Sequence, residues 1–413
     1  MQGPADVAVV GAGMVGLATA WYLNERGVRV TVYERDHVAA GSSWGNAGWL
    51  TPGIATPLPE PAVLRYGLKA LLSPSSPVYV PPSADPRLLR FLTGFARHST
   101  AKHWARAMRA LIPLNDQALG AFDELTAGGV DAVTRPADAF LAAYRTEAER
   151  RVLLEELELI HRSGQDIAFD LLTGEEARGI APSLSPAVGA AIRLRGQRFI
   201  DPGSFVHALG DAVRKQGVEL HEGTNVMDIR PEGDGVVVVG NGRPVHHDRV
   251  VLATGAWLGS FGRRFGIRLV VQAGRGYSFS VPIETVPEGP VYFPAQRVAC
   301  TPLGERLRVA GMMEFRKPEA PLDQRRIQAI VDAARPLLTG VDLDSRQDEW
   351  VGSRPVTRDG LPLIGRTHAP GVYAAGGHGM WGITLGPITG RLLADAIVEG
   401  RDVPELAPFR PTR

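Results

Sequence analysis

The segment Asp6–Glu34 decides the fold and reads DVAVVGAGMVGLATAWYLNERGVRVTVYE. A β-branched run leads into the spacing G-x-G-x-x-G at Gly11, Gly13 and Gly16, and a helix and a second strand, 28–32, follow. In this order the elements predict a βαβ unit whose helix N-terminus offers free N–H groups and a partial positive charge to a diphosphate. The sequence therefore predicts a nucleotide-binding domain of the Rossmann type.

Glu34 ends the second strand of this unit. An acidic side chain at this place can accept hydrogen bonds from the ribose hydroxyls of an adenosine, and it disfavours a 2′-phosphate. The unit alone does not separate NAD from FAD, because both cofactors present an ADP half to the same turn. Later segments have to decide between them.

The chain has 413 residues, and because single hydrophobic cores stop growing at ~250–300 residues we expect two domains. The 45 basic and 44 acidic residues give a net charge of +1, so no overall electrostatic attraction favours nucleic acid as a partner. A small-molecule ligand is the better expectation.

Cys300 is the single cysteine, which excludes an internal disulfide and a multi-cysteine zinc or iron–sulfur site. We therefore expect no metal centre. The apolar run 7–10 is too short for a signal peptide or for a membrane span of ~20 residues. We expect a cytoplasmic protein without a transmembrane segment, and a peripheral contact with the inner face of the membrane stays open.

A second glycine-rich segment, 376–385, reads GGHGMWGITL and precedes an apolar helix, 387–398. The N-terminus of that helix can face the pyrimidine carbonyl of a flavin, which gains negative charge on reduction, and a nicotinamide has no evident need for it. This favours FAD. The segment 41–48, GSSWGNAG, is either a surface loop or part of the same site. Between these segments a helix begins near Asp201. Several short strands over 218–251 follow it and lead to ATGAW at 253–257.

Together these segments resemble the D-amino-acid oxidase superfamily of FAD enzymes, most closely its bacterial D-amino-acid dehydrogenases. The motifs that carry the resemblance are GAGMVG with Glu34, GSSWGNAG at 41–48, DPGSF at 201–205, ATGAW at 253–257, RGYS at 275–278, GSRP at 352–355 with DGLP at 359–362, and GHGMWGITLGPITG at 377–390.

The resemblance implies an α/β fold in which a Rossmann-like FAD-binding domain carries a second, mostly antiparallel α+β substrate domain. The FAD-binding domain would comprise 1–55, 201–265 and 350–402, and the substrate domain would comprise 56–200 and 266–349. FAD is expected to be non-covalent, because Cys300 does not match the attachment position of the relatives that hold it covalently.

The same resemblance assigns the carboxylate of an amino-acid substrate to Arg354, although that arginine could instead pair with Asp359. Tyr277 and Tyr292 are candidate active-site hydroxyls or core tyrosines, and His378 is a flavin neighbour rather than a general base. The expected cofactor-binding residues are Gly11, Gly13, Met14, Val15, Gly16, Glu34, Arg35, Ser42, Ser43, Asn46, Ala47, Gly48, Val226, Thr254, Gly255, Trp257, Gly377, His378, Gly379, Met380, Gly382, Ile383 and Thr384.

The expected reaction is the oxidative deamination of a D-amino acid to a 2-oxo acid and ammonia, by hydride transfer to flavin N5. Oxidation of sarcosine, glycine or cis-D-hydroxyproline, a nicotinamide-dependent dehydrogenase and a non-catalytic FAD-binding module are the alternatives. The electron acceptor stays open between oxygen, a quinone and a carrier protein. The proline- and serine-rich segment 52–86 is either a substrate-access loop or a surface for that acceptor.

Overall fold

The computed structural model of the chain describes residues 3–61, 73 and 75–413. Part of the proline- and serine-rich segment, 62–72 and 74, therefore lies outside the described residues. The strands, numbered in chain order, are β1 (Asp6–Val10), β2 (Arg29–Tyr33), β3 (Trp49–Leu50), β4 (Val78–Tyr79), β5 (Arg135–Pro136), β6 (Phe140–Tyr144), β7 (Phe169–Thr173), β8 (Ala190–Leu194), β9 (Arg198–Phe199), β10 (Glu219–His221), β11 (Val226–Glu232), β12 (Gly235–Gly240), β13 (Arg243–His247), β14 (Arg249–Leu252), β15 (Val271–Pro282), β16 (Val291–Phe293), β17 (Val298–Leu303), β18 (Arg306–Phe315), β19 (Gln347–Thr357), β20 (Leu363–Arg366) and β21 (Val372–Gly376). The α-helices of the described part are α1 (Met14–Glu25), α2 (Pro86–His98), α3 (Ala101–Ala127), α4 (Glu147–Arg162), α5 (Gly174–Ile180), α6 (Pro202–Lys215), α7 (Leu258–Gly262), α8 (Gln324–Ala334) and α9 (Gly382–Val398).

A six-stranded sheet in the order β10-β2-β1-β14-β21-β20 forms the nucleotide-binding part. Its first five strands are parallel, with Val7 opposite Val30 and Arg249, and β20 pairs with β21 in the antiparallel direction. The strands are valine-rich on both faces, as a parallel sheet covered on both sides requires. The predicted βαβ unit is thus confirmed, with its second strand at Arg29–Tyr33.

The two faces of this sheet have different covers. Val7 and Val9 point into a core shared with α1, α3, α6 and α9. Ala8 and Val10, on the opposite face, pack against the three-stranded antiparallel sheet β11-β12-β13. The α6 helix begins as predicted, because the Asp201 side chain accepts a hydrogen bond from the Ser204 amide at 3.1 Å and caps its N-terminus.

A nine-stranded, mostly antiparallel sheet forms the second part, in the order β19-β15-β18-β17-β16-β6-β8-β7, with β4 beside β18. The parallel pairs in it are β16 with β6 and β18 with β4. On one side α8 packs against β15, β17 and β18 over an apolar cluster, and α4 packs against β6 and β8. The expected α/β fold with a second, mostly antiparallel part is thereby confirmed.

Two elements cross the domain division that we expected from the sequence. Strand β19 pairs with β15 over Val271 to Ser280, so residues 350–357 lie in the nine-stranded sheet and not in the nucleotide-binding part. Helix α3 lies within 56–200, but its apolar stripe packs into the core beneath α1 and α9. Both exceptions have the same cause. A strand or helix packs against the apolar surface that its own buried face meets, whatever its position along the chain. Throughout the described ranges, each helix is too short or too polar to traverse a lipid bilayer.

Candidate active site

The glycine-rich turn between β1 and α1 is packed so closely that side chains are excluded from it. Gly11 has a φ of 111°, and a Cβ there would lie 2.5 Å from the Ala253 carbonyl oxygen. A Cβ on Gly16 would lie 1.9 Å from the Gly11 carbonyl oxygen. The atom nearest to a Cβ on Gly13 would be the Ser43 hydroxyl oxygen, at 3.2 Å, so the space beside this residue is left for a ligand.

Glu34 is held in place by two backbone amides. Its carboxylate accepts hydrogen bonds from the Ala12 N–H at 2.8 Å and from the Asp36 N–H at 3.0 Å. The first amide belongs to the glycine-rich turn, so the carboxylate is fixed beside the turn at the end of β2. Ribose hydroxyls can donate to the lone pairs that remain.

A cavity of about 320 Å³ runs from this turn across the carboxyl ends of the parallel strands, where ligands bind in open α/β sheets. Twenty of the predicted site residues line it, counting nineteen from the cofactor list and Arg354. They are Gly11, Gly13, Met14, Val15, Gly16, Glu34, Arg35, Ser42, Ser43, Asn46, Val226, Thr254, Gly255, Trp257, His378, Gly379, Met380, Gly382 and Ile383, with Arg354 completing the wall.

The N-terminus of α9 opens into the same cavity through Gly382 and Ile383. No side chain of the described residues caps this helix. Two neighbours hold its first turn: the Trp381 indole donates to the Thr56 carbonyl at 2.7 Å, and the Thr384 hydroxyl donates to the Trp49 carbonyl at 2.9 Å. Two helix N-termini, those of α1 and α9, thus face one cavity.

This donor set fits FAD. An ADP half finds the open glycine turn and Glu34, and the Arg35 guanidinium lies 4.4 Å from the centre of the Trp257 ring on the cavity wall. The far end of the cavity offers the amides that begin α9, which suit a group that becomes anionic on reduction.

His378 lies in the turn before α9 and is almost completely buried. Its Nε2 is 3.0 Å from the Thr389 hydroxyl, and burial lowers its pKa to about 4. The imidazole is therefore neutral near pH 7. A neutral, hydrogen-bonded ring at this place is consistent with a cofactor neighbour and makes a weak base.

Arg354 projects from β19 to the far end of the cavity. Its Nη1 donates to the Met312 carbonyl at 2.9 Å, and burial lowers its pKa to about 10. Within the described part of the chain no carboxylate pairs with it, since Asp359 instead binds Arg413, with Nε–Oδ2 at 2.9 Å. A buried guanidinium without a counter-charge is costly unless an anion binds it.

A second cavity, of about 210 Å³, adjoins the first, and Asn46, Arg354 and Met380 line both. Its wall is largely apolar. The other side chains with polar atoms on this wall are Thr56, Glu60, Glu156, Tyr292, Arg297 and the indoles of Trp49 and Trp381. Tyr292 is thus brought to this cavity, as is Ala47.

Tyr277, Gly48, Gly377 and Thr384 line neither cavity. Tyr277 is fully buried between β15 and α8, where its hydroxyl donates to the Glu314 carboxylate at 2.5 Å. Gly48 and Gly377 adopt positive φ angles of 77° and serve the turns. The Thr384 hydroxyl donates to the Trp49 carbonyl. The side chains of these residues therefore have structural partners.

Sequence reasoning missed several residues of these walls. In the first cavity they include Tyr33, Thr224 and Asn225, and in the second they include Glu156 and Arg297. Glu156 lies within the repeating pattern of a surface helix, and nothing in that pattern separates it from its exposed neighbours. Cys300 lies in β17, is buried and lines neither cavity.

Comparison with known proteins agrees with this geometry. The family model for FAD-dependent oxidoreductases of the DAO type matches residues 6–396. The D-amino acid dehydrogenase of Cereibacter sphaeroides is 30% identical over 408 residues, with 97% of this chain and 93% of the relative covered. That of Agrobacterium fabrum is 30% identical, with 95% of both chains covered.

Among solved structures, glycine oxidase from Geobacillus kaustophilus is similar, with a TM-score of 0.75, 25% identity and coverage of 100% of this chain and 99% of that one. Glycine oxidase from Bacillus cereus shares the fold at a TM-score of 0.73, with 22% identity and 99% of both chains covered. With its two-part fold, a cavity that suits FAD and a full-length family match, the chain belongs to the DAO family of FAD-dependent oxidoreductases and acts on an amino acid or amine.

Proposed function

We propose that the protein deaminates a D-amino acid oxidatively to a 2-oxo acid and ammonia. The observation that carries this proposal is Arg354, a buried guanidinium without a carboxylate partner among the described residues, at the junction of the two cavities. Its planar fork matches the carboxylate of an amino acid and can bind it through two hydrogen bonds. The 30% identity to D-amino acid dehydrogenases supports the same substrate class.

The glycine turn, Glu34 and the first amides of α9 would hold FAD without a covalent link in the first cavity, and the bound cofactor would supply the hydride acceptor. Arg354 holds the substrate carboxylate, and the hydrogen bond from its Nη1 to the Met312 carbonyl fixes the guanidinium at the junction of the two cavities. Met312 has a positive φ of 66°, an uncommon conformation for a non-glycine residue, which turns this carbonyl toward Arg354.

No protein base is required for the reaction. The substrate amine loses its proton to solvent before it reacts, and its lone pair drives the departure of the α-hydrogen with its two electrons. The resulting imino acid takes up water and releases ammonia. The chain contributes orientation and a dry, preorganised site, which are large effects in catalysis. The weakly basic, buried His378 agrees with this division of roles.

Oxidation of a small secondary amine or of glycine is the second candidate. The 25% identity and full coverage of a solved glycine oxidase favour it. The same carboxylate site serves both candidates, so only the substrate separates them. The deciding experiment is a panel of D-amino acids, L-amino acids, glycine, sarcosine and cis-D-hydroxyproline, mixed without oxygen with the flavoprotein while its yellow absorbance is followed.

The proposal expects fastest bleaching with a D-amino acid. Faster bleaching with glycine or sarcosine would move the assignment to the second candidate, and bleaching with an L-enantiomer in preference to its D-form would contradict both the stereochemistry and the proposal. Re-oxidation of the reduced protein by oxygen, with one peroxide per flavin, would identify an oxidase. A requirement for a quinone or a carrier protein would identify a dehydrogenase.

A further inference from the structure

The wall of the second cavity carries charges of both signs. Arg354 lies at the junction with the first cavity, and Glu60, Glu156 and Arg297 line the second cavity alone. If a substrate carboxylate binds Arg354, its side chain must extend toward these charged residues. Their chemistry therefore selects the side chain.

Glu60 and Arg297 satisfy one another at the rim. The Arg297 Nη2 lies 3.0 Å from the Glu60 Oε1, and about a third of the arginine side chain is exposed, at 38%. Glu156 lies deeper, and the hydrogen bond that its carboxylate accepts comes from the Thr56 hydroxyl at 3.2 Å. Arg297 thus forms its ion pair with Glu60, and among the described residues no ion pair within 4 Å is formed by Glu156.

Arg150, on the same helix α4, is buried and lies outside the cavity lining, where it donates to the Leu172 carbonyl at 2.9 Å and lies 3.6 Å from Glu147. Burial raises the pKa of Glu156 to about 7, with Glu60 adding to the effect and Arg297 opposing it. A buried carboxylate with a raised pKa gains most from a cation that arrives with a ligand.

A buried hydroxyl near Glu156, outside the cavity lining, is also unsatisfied. The Tyr144 side chain is buried beside Tyr292 and Glu156, and its hydroxyl has no hydrogen-bond partner among the described residues. Buried hydroxyls are nearly always hydrogen-bonded, so an unsatisfied one marks a place where a ligand or water completes the structure. An ammonium group carries three donors and can serve the Glu156 carboxylate and the Thr56 hydroxyl oxygen, which both line the cavity.

We propose that the second cavity selects D-amino acids whose side chain ends in a cationic group, as in D-lysine, with that group bound at Glu156. This inference rests on the proposed function, because it needs the carboxylate at Arg354. A carboxylate at one end of the substrate and a cation at the other then match the guanidinium and the glutamate of the cavity. D-Glutamate would place like charges together and is expected to be excluded.

The test compares D-lysine with its neutral counterpart D-norleucine and with D-glutamate, using kcat/KM for flavin reduction. We expect the native protein to prefer D-lysine over D-norleucine about tenfold or more, which corresponds to ~1.4 kcal/mol. In Glu156→Gln this ratio should fall ~30-fold or more, since a buried charge partner is removed. Glu155→Gln, a matched charge change on the exposed side of α4, should leave the ratio unchanged.

Preference of the native protein for D-norleucine or D-glutamate, or an unchanged ratio in Glu156→Gln, would overturn the inference. The native panel decides alone if Glu156→Gln fails to retain FAD. Reduction by all three substrates without preference would overturn only the inference and leave the proposed deamination standing. No reduction by any amino acid or amine would overturn the proposed function, and the inference with it.

Discussion

Replacing the guanidinium of Arg354 by a methyl group removes the proposed carboxylate anchor and nothing of the FAD cavity near the glycine turn. Arg354→Ala should lower kcat/KM for amino-acid substrates by ~10²-fold or more, the loss expected for a charge-assisted anchor. Steady-state kinetics measure it, with Arg109→Ala on the exposed face of α3 as the control. For the corresponding amines that lack a carboxylate, kcat/KM should fall much less. Equal losses for both kinds of amine would move the carboxylate site elsewhere.

His378 makes the stability of the protein depend on pH. Its pKa is about 4 in the folded protein, whereas that of an unfolded histidine is ~6.5. Between these two pKa values the imidazole binds a proton in the unfolded chain but not in the folded protein. The free energy of unfolding therefore falls as pH falls through this window. The total is on the order of 3 kcal/mol.

Denaturant unfolding of the native protein and of His378→Asn from pH 7.5 to 4 measures this contribution, and the variant should lose less stability on acidification. His207→Asn, an exposed histidine on α6, is the control and should follow the native curve. Parallel curves for His378→Asn and the native protein would contradict the buried, neutral state of the imidazole.

Gly16 tests the closeness of the first turn. A Cβ at this position would lie 1.9 Å from the Gly11 carbonyl oxygen, so Gly16→Ala must displace backbone that lines the first cavity. We expect a loss of about 2 kcal/mol or more in stability, together with loss of FAD from the purified protein. Gly120→Ala, at an exposed site of α3 with open space around it, should stabilise by about 0.5–1 kcal/mol. Retention of FAD by Gly16→Ala would contradict this account of the turn.

At the scale of whole elements, α6 is held by its N-cap. The Asp201 carboxylate accepts from the Ser204 amide at 3.1 Å and also binds the Arg306 guanidinium at 2.8 Å. Asp201→Ala should lower the free energy of unfolding by about 1–2 kcal/mol, with an unchanged denaturant slope. Asp201→Asn keeps a capping oxygen and loses only the partly exposed ion pair, so it should cost less than 1 kcal/mol. Equal losses for both would assign the effect to Arg306 instead.

Elements with a strong local signal were predictable from the sequence. The β1-α1-β2 unit follows from glycines that the backbone geometry requires, and the start of α6 follows from an aspartate and a proline whose roles are local. The placement of β19 was not predictable in this way. Its pairing with β15 depends on contacts between residues about 75 positions apart along the chain, and no local pattern encodes which sheet such a strand joins.

The same contrast applies to the site. The first cavity was largely predictable because its residues cluster in glycine-rich turns at strand ends. Tyr277 was predicted at the site and Glu156 was missed for the same reason. Whether a side chain on a strand or helix faces a cavity or a core depends on how the other elements pack against it. Tyr277 faces α8 and Glu314, whereas Glu156 faces a cavity that β16, β18 and the residues near Thr56 complete.

At the scale of the whole molecule, the two cavities share Arg354, Asn46 and Met380, so a ligand in the second cavity lies against whatever occupies the first. A non-reactive carboxylate that resembles the substrate should therefore alter the visible spectrum of the bound flavin in the native protein. Arg354→Ala should abolish this change at the same ligand concentration. A spectral titration measures both, and an unaltered response in the variant would separate the carboxylate site from the cavity junction.

Anaerobic mixing of the FAD-loaded protein with D-amino acids is the decisive measurement of its activity. We expect the yellow absorbance to be lost with at least one D-amino acid, and one 2-oxo acid and one ammonia to form per flavin. A protein that releases no FAD on denaturation, or whose flavin stays oxidised with every amino acid and amine, would contradict the account.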